Sequence, residues 1–302
     1  MFKNLLQLAF IIITVSTLYS EDNLTKDFIK ASLKNQENLS YPVLKVKYEV
    51  KILKDGKETN VKQVCRYIRT PNYFFLEEKM FSGSEFEYAQ ITKYDRMSDV
   101  EKSLYITKNG YKAGKISQAR EIFSAKKMET TYFPVIVRKN PYSTLYESLN
   151  EATLTEERKV IDGYICYLLE VSYGKNNLEK IWLGKEIEFC PVLIEKFSNS
   201  YLSDKIYFSN YRKFSENFWF PMKIVVEGFP IVEPIPPENR KNIPEKIAGE
   251  IFRSKWTNIY KLIEISVGKP VSDEEVKLEF PPGTEVRDEL TGKMFKIPEK
   301  QS

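Results

Sequence analysis

Histidine is absent from the 302 residues of this chain, and its absence removes several classes of active site at once. Without an imidazole the chain cannot build a Ser-His-Asp or Cys-His nucleophilic centre, a helical His-Glu-x-x-His zinc site, or a histidine general base near neutral pH. No Gly-x-Ser-x-Gly elbow occurs, and no spacing of serine and lysine singles out a catalytic pair. We therefore predict that the protein is not an enzyme and that it has a binding or structural role.

Cysteine is scarce as well. The three cysteines, Cys65, Cys166 and Cys190, are an odd number, and their spacing resembles no metal site, so we predict neither a metal nor another cofactor. Three thiols allow one intramolecular bridge at most, and free thiols packed in the core are the favoured interpretation. Counting residues from a turn at 174–177 places Cys166 and Cys190 two strands apart, which exceeds the reach of a disulfide.

Neither sign of charge is in large excess, since 46 Lys and Arg residues stand against 42 Asp and Glu residues. This balance gives no indication of nucleic acid or of an anionic membrane as a partner. Hydrophobic residues make up 42% of the chain and aromatic residues 14%. Such a content suits a large filled core, and it equally suits the wall of an apolar ligand cavity.

The first twenty residues have the pattern of a secretion signal. Lys3 supplies a positive charge, Leu5–Val15 is apolar apart from Gln7, and a short polar stretch ends at Ser20. Because this apolar stretch is too short to cross a bilayer as a helix, we predict cleavage near Ser20 and a periplasmic location. An uncleaved amphipathic anchor is the alternative.

Three short motifs are candidates for chemistry, and each has a plainer interpretation. Glu77 and Glu78, like the acidic run at 273–275, offer neighbouring carboxylates, but adjacent residues on a strand point to opposite faces. Gly110 and Gly114 are one residue too close for a phosphate-binding loop. We predict solvated surface for the acidic residues and a flexible loop for the glycines. An exported hydrolase that uses carboxylates stays as the third functional alternative.

Hydrophobic and charged residues alternate along most of the chain, which predicts β-strands with one buried face. The clearest case runs from Leu44 to Ile52 and is followed by a hairpin turn at Asp55 and Gly56. The other predicted strands lie at Lys57–Arg69, Tyr73–Met80, Glu85–Lys93, Ser103–Thr107, Tyr164–Tyr173, Leu178–Leu183, Val192–Phe197, Lys205–Phe214, Trp219–Glu227, Glu250–Val267, Val276–Phe280 and Met294–Ile297.

Three segments follow the helical period instead. A helix is predicted over Asn23–Glu37, where Leu24, Phe28 and Ala31 share one face. Ser117–Met128 is a weaker helix. Asn140 and Pro141 are a strong helix start, and the residues after them form an apolar stripe of Tyr142, Leu145, Tyr146 and Leu149.

Proline marks one further segment. Five prolines between Pro230 and Pro244 remove backbone donors and favour an extended chain, so we predict a mobile arm over Ile231–Glu245. A passive connector is favoured there over an arm that binds a partner or gates a cavity. The predicted organisation is a signal peptide over 1–20, a domain over 21–229, the Pro-rich arm over 230–246, and a last long strand and tail of the same domain over 247–302.

The order of these elements resembles that of the bacterial LolA/LolB lipoprotein carrier superfamily. A leader and a helix come first, and two runs of strands then flank a helical insert. The local similarity is greatest over Val46–Glu77, with its hairpin and its Arg69–Phe74 corner, and over Val160–Val171. Weaker similarities lie at Ile181–Leu183 and Trp219–Pro221. In the carriers an arginine directly before the corner proline helps to latch the lid. Here Thr70 holds that position, and a displacement by one residue reverses the side-chain face.

The resemblance and the strand pattern together predict a mainly β fold of the α+β class. We expect a curved antiparallel half-barrel of about eleven strands whose helices cover the concave face. The resemblance implies a carrier or sensor that holds the acyl chains of a lipid or lipoprotein in a hydrophobic cavity, acts as a monomer and meets a membrane-protein partner. The alternative is a non-catalytic envelope protein with a structural or interaction role and a filled core.

Strand parity and the helical stripe select the side chains that would line this cavity. The charged residues on the alternate positions define the wet face, so their neighbours point inward. The predicted cavity residues are Leu44, Val46, Tyr48, Val50, Ile52, Phe74, Leu145, Leu149, Ile165, Tyr167, Leu169, Val171, Met222, Ile224 and Val226.

Overall fold

The computed structural model describes residues 26–40, 43–70, 72–95, 97–118, 152–173, 176–214, 218–229, 232–234, 250–252 and 255–299. Within these residues it contains one α-helix and seventeen strands. The elements are α1 Lys26–Ser40, β1 Leu44–Lys54, β2 Lys57–Arg69, β3 Tyr73–Ser82, β4 Glu85–Asp95, β5 Val100–Thr107, β6 Lys112–Gln118, β7 Thr153–Ile161, β8 Tyr164–Tyr173, β9 Asn177–Gly184, β10 Cys190–Ser198, β11 Tyr201–Lys213, β12 Trp219–Gly228, β13 Val232–Pro234, β14 Glu250–Phe252, β15 Trp256–Val267, β16 Glu285–Asp288 and β17 Lys293–Lys296.

Fifteen strands form one sheet in the order β17-β16-β6-β5-β4-β3-β2-β1-β15-β12-β11-β10-β9-β8-β7. Neighbouring strands pair antiparallel, except that β16 runs parallel to β6. Most neighbours are consecutive in the chain because short turns join them. The sheet is open, with β17 and β7 as its edges in the part of the chain that the structure describes. The mainly antiparallel β fold is therefore confirmed.

The predicted number of about eleven strands is wrong. The additional strands β6, β7 and β16 lie at or near the sheet edges, where many side chains are exposed and hydrophobic alternation is weak. Ser117, predicted to begin a helix, lies in β6, and Gly114 lies in the same strand and not in a flexible loop.

The segment predicted as one long strand over Glu250–Val267 is two strands in two sheets. β14 pairs with β13 in a separate two-stranded sheet, whereas β15 inserts between β1 and β12 in the main sheet. By this insertion β15 joins the first run of strands to the second. The predicted strand at Val276–Phe280 is also wrong, because Asp273–Val276 forms one turn of 3-10 helix that a Ser272–Glu275 capping box begins.

Helix α1 buries a face other than the predicted one. Ile29 and Leu33, four residues apart, are fully buried in the main core, whereas Phe28 is 58% exposed and Ala31 is exposed. Leu24, the leader, the two central helices and most of the Pro-rich arm lie outside the described residues. That helices cover a concave face therefore stays a prediction.

The two faces of the sheet have different cover. We call the face that carries Leu44, Val46, Tyr48 and Val50 the core face, since these side chains are 0–2% exposed. On the opposite face lies the C-terminal strap, residues 268–299. It leaves the end of β15 and places Val276 against Ile68 and Phe75. It then joins the sheet beside β6 as strands β16 and β17.

The strap is fixed at three positions along its path. Lys45 on β1 donates to Glu275 at 2.6 Å, and Lys112 on β6 donates to the Pro282 carbonyl at 3.1 Å. Between them the Phe280 ring occupies the space above Gly114, where a Cβ would come within 2.6 Å of it. Gly114 therefore serves the packing of the strap and not a phosphate-binding loop.

Candidate functional site

The core face is apolar across seven neighbouring strands, from β1 through β15, β12, β11, β10 and β9 to β8. The pairing register places Val50 opposite Tyr260, Tyr260 opposite Ile224, and Ile224 opposite Phe208. A parallel row continues across the second run of strands through Val226, Ile206, Ile194, Ile181 and Leu169. All the side chains of these two rows are buried, with exposures of 0–7%.

Most of the side chains predicted to line a cavity lie on this face. Ile52 and Met222 are half-buried. Ile165 is 44% exposed because it follows the Asp162 turn at the sheet end, where its backbone N–H donates to Glu186 at 3.1 Å. Leu145 and Leu149 lie outside the described residues. The buried members of the predicted set are Leu44, Val46, Tyr48, Val50, Phe74, Tyr167, Leu169, Val171, Ile224 and Val226.

Several core-face residues were missed by the sequence reasoning. The central strand β15 contributes Tyr260 and Leu262, β11 contributes Ile206 and Phe208, and β12 adds Phe220. Hydrophobic residues alternate with a period of two in these strands. This alternation identifies the side chains on the core face once the register with the neighbouring strands is known.

A buried polar patch continues the core face across β2 to β6. It consists of Arg69, Glu78, Thr92, Glu101 and Ser117, which are 1–9% exposed. The register sets Arg69 opposite Leu44 and Phe74, and it sets Glu101 opposite Tyr94 and Ser117, so these side chains lie on the core face.

Local contacts hold parts of this polar patch. Gln63 donates to Glu78 at 2.8 Å, and the Arg69 guanidinium lies 5.9 Å from the centre of the Phe74 ring. No sequence signal indicated the patch, because parity analysis assigns charged residues to the wet face. On β2, however, Arg69 lies on the buried face and Arg66 on the other.

Burial also sets the protonation of the core-face groups. It raises the pKa of Tyr48 and of Tyr211 well above the ordinary value for a phenol, so both stay neutral. The Tyr211 hydroxyl donates to the Pro191 carbonyl at 2.6 Å. Burial likewise raises the pKa of the Cys166 thiol to about 11, which leaves it protonated near neutral pH. The described core face thus offers apolar contact and polar recognition, with no activated nucleophile among these groups.

Helix α1 covers part of the core and is tied to the chain just before β10. The Ser32 hydroxyl lies 2.9 Å from the Glu188 carboxylate and 3.1 Å from its carbonyl oxygen. Phe28 meets Phe189 edge to face at 5.8 Å, and Lys26 donates to the Ala152 carbonyl. Glu188 and Phe189 both have φ near +57°, a conformation that bulky residues rarely adopt.

Comparison with known proteins gives a fold but no close relative. No family model matches the chain, and no curated protein matches its sequence. The structure of a DUF1329 family protein from Desulfovibrio piger matches with a TM-score of 0.50 at 10% identity, over 82% of this chain and 95% of that chain. A putative outer membrane lipoprotein-sorting protein domain from Vibrio parahaemolyticus matches with a TM-score of 0.49 at 8% identity, over 83% and 97%.

At 10% identity the similarity to the DUF1329 family structure shows the fold alone. Within the described ranges no helix has the length and hydropathy to cross a membrane. In the same residues no group of three Cys, Asp or Glu side chains is placed to hold a metal ion.

Proposed function

We propose that the protein is an exported, periplasmic carrier or sensor that holds the acyl chains of a lipid or lipoprotein and has no catalytic activity. The observation that carries this proposal is the composition of the core face, where an apolar surface across seven strands continues into the buried polar patch. One face thus provides both kinds of contact that an amphiphile needs.

The two regions of the core face would share the ligand between them. Acyl chains gain roughly 25 cal/mol per Å² of apolar surface removed from water, which supplies affinity without a reacting group. The headgroup would lie toward Arg69, whose guanidinium suits phosphate or carboxylate oxygens. Because these side chains are buried in the structure, a ligand reaches them only when their cover moves, and α1 is part of that cover.

A second candidate is a non-catalytic envelope protein with a structural or interaction role and a filled core. The burial of the two apolar rows, at 0–7% exposure, favours this alternative because it leaves little free surface for a ligand in the described state. The two candidates differ in whether lipid enters the core face.

Native mass spectrometry of the protein, purified from a lysate that contains membranes, separates the two candidates. If the protein is a carrier, we expect a monomeric protein with bound phospholipid. Val46→Glu should lose that lipid because an unpaired carboxylate on the core face costs several kcal/mol. Lys47→Glu, one residue away on the opposite face, should retain it.

A fluorescent fatty acid gives a second measurement on the same proteins. Uptake by the wild type and by Lys47→Glu, with loss in Val46→Glu, supports the carrier. If Val46→Glu does not fold, Val226→Ala gives the same test without a buried charge. A lipid-free protein that takes up no fatty acid supports the filled core and contradicts the carrier.

A further inference from the structure

A concavity lies on the face of the sheet opposite the core face, where β1, β15, β12 and β11 are neighbours. Its volume is about 460 Å³. That volume falls in the ~300–1,000 Å³ range of small-molecule sites. We call it the basic cleft, and its lining residues are Glu49, Lys51, Asn210, Arg212, Met222, Lys223, Ile259, Lys261 and Leu262.

The basic cleft brings like charges together. Lys223 lies directly opposite Lys261 in the pairing of β12 with β15, and such cross-strand pairs of equal charge destabilise a sheet. In the described part of the chain neither lysine forms an ion pair, and Arg212 forms none either. Around one concavity, three cations of the described chain are thus outside any salt bridge, although Lys261 lies opposite the carboxylate of Glu49.

The carboxylates nearest to the cleft are already engaged. Glu49 lies opposite Lys261, but its carboxylate pairs with Lys62 at 2.7 Å, and this hydrogen bond lowers its pKa. Glu58 pairs with Lys51 at 3.0 Å. Four cationic side chains thus line the cleft against one carboxylate, although the chain as a whole has a formal net charge of only +4.

We infer that the basic cleft binds the phosphate group of an anionic phospholipid. Arg212 and the two opposed lysines supply donors that match phosphate oxygens. Ile259, which shares a face of β15 with Lys261, adds an apolar side chain that a bare inorganic ion cannot use. Since the cations are exposed, the binding should weaken as salt is added. The cleft lies on the face opposite the core face and stands independently of acyl-chain binding there.

The test uses the full chain and water-soluble dihexanoyl lipids, measured by titration calorimetry. We expect dihexanoyl phosphatidic acid to bind more tightly than dihexanoyl phosphatidylcholine and than inorganic phosphate. The double variant Lys223→Glu with Lys261→Glu should bind the anionic lipid about tenfold more weakly, which corresponds to ~1.4 kcal/mol.

A matched control exists on the same face of the sheet. Lys93 and Lys102 form another cross-strand lysine pair, outside the cleft, and reversing both charges there should leave the affinity unchanged. Equal affinity for the anionic and the zwitterionic lipid, or an equal loss in the control, would overturn the inference. Failure to bind both the soluble anionic lipid and anionic vesicles would overturn it as well.

Two further experiments identify the source of the phosphate and distinguish the basic cleft from the core face. Flotation with phosphatidylcholine vesicles, with and without phosphatidylglycerol, tests a membrane surface. One outcome is that the wild type and the lysine control bind anionic vesicles while the cleft variant does not. If in that case the soluble lipid does not bind, the ligand of the cleft is the headgroup of a lipid in a bilayer. Val46→Glu should leave cleft binding intact, so failure of acyl-chain retention and failure of the cleft are distinguishable.

Discussion

Gly228 on β12 lies directly opposite Trp256 on β15, and the indole stands where a Cβ on Gly228 would project. Only glycine leaves room for this ring over the strand. Gly228→Ala should therefore destabilise the protein by about 1–3 kcal/mol, the usual cost of overpacking. Urea unfolding followed by tryptophan fluorescence measures the change. Adding Trp256→Ala should relieve the overlap, so additive losses in the double variant would contradict this explanation.

The contact between Gly114 and Phe280 leads to a prediction about the C-terminal strap. Gly114→Ala places a Cβ against the Phe280 ring and against Val286, so the strap should lift from β6 while the rest of the sheet stays intact. Hydrogen exchange should show faster exchange at 278–288. Phe280→Ala is expected to give the same local effect, and global unfolding in both variants would show that the strap and the sheet unfold together.

The ion pair of Lys45 with Glu275 makes the attachment of the strap depend on pH. The hydrogen bond from Lys45, followed by one from the Ser272 backbone, lowers the pKa of Glu275 below its ordinary 4.5. Because the pKa of Glu275 is lower in the folded state than in the unfolded state, its ionised carboxylate stabilises the folded state above pH 4.5. This stabilisation is lost as the pH falls through the pKa that Glu275 has in the folded state.

Carboxyl NMR titration checks this directly. Lys45→Met should raise the pKa of Glu275 toward 4.5 and remove the acid-dependent loosening of the strap. Lys277→Met, which removes a strap lysine that pairs with Glu274 and Glu279 instead, should leave the pKa of Glu275 low. An unchanged Glu275 titration in Lys45→Met would assign the shift to the Ser272 contacts.

The alternation along β1 made its buried face predictable, because a strand with one wet face repeats every two residues. The Asp162 turn and the meander after it were predictable for the same reason. Strands β6 and β7 were not, since hydrophobic residues do not alternate clearly with charged ones along either strand. In α1 the missed buried face depends on Ile29 and Leu33, whose place is set by what they pack against.

Long-range pairing accounts for the remaining differences. No local pattern tells β15 to insert between β1 and β12, yet that insertion aligns Tyr260 with Val50 and Ile224, and Lys261 with Lys223. The buried polar patch follows from the register of β2 to β6, which places Arg69 beside Leu44 on the core face. Both the apolar surface and the basic cleft therefore become visible only when neighbouring strands are known.

The contact of Ser32 with Glu188 predicts how α1 opens. Ser32→Ala removes hydrogen bonds worth about 1 kcal/mol, so α1 should exchange its amides faster without a large change in global stability. Asn35→Ala, at an exposed position of the same helix, serves as the control. If α1 covers the ligand, Ser32→Ala should also speed the uptake of a fluorescent fatty acid, whereas equal rates in both variants would place the entry elsewhere.

Cys166 and Cys190 both lie opposite Gly184, one on each side of β9, and this placement predicts the state of the thiols. Two strand spacings separate their Cα atoms by ~9.5 Å, beyond the ~7 Å limit for a disulfide. Burial raises the pKa of the Cys166 thiol from 9.0 to about 11 and that of Cys190 further. Near pH 8 the thiolate fraction of Cys166 should thus be about a hundredfold below that of an ordinary cysteine, and its reaction with DTNB correspondingly slow. Denaturation without reductant should release three reactive thiols, whereas a single thiol would show a bridge and a different register around Gly184.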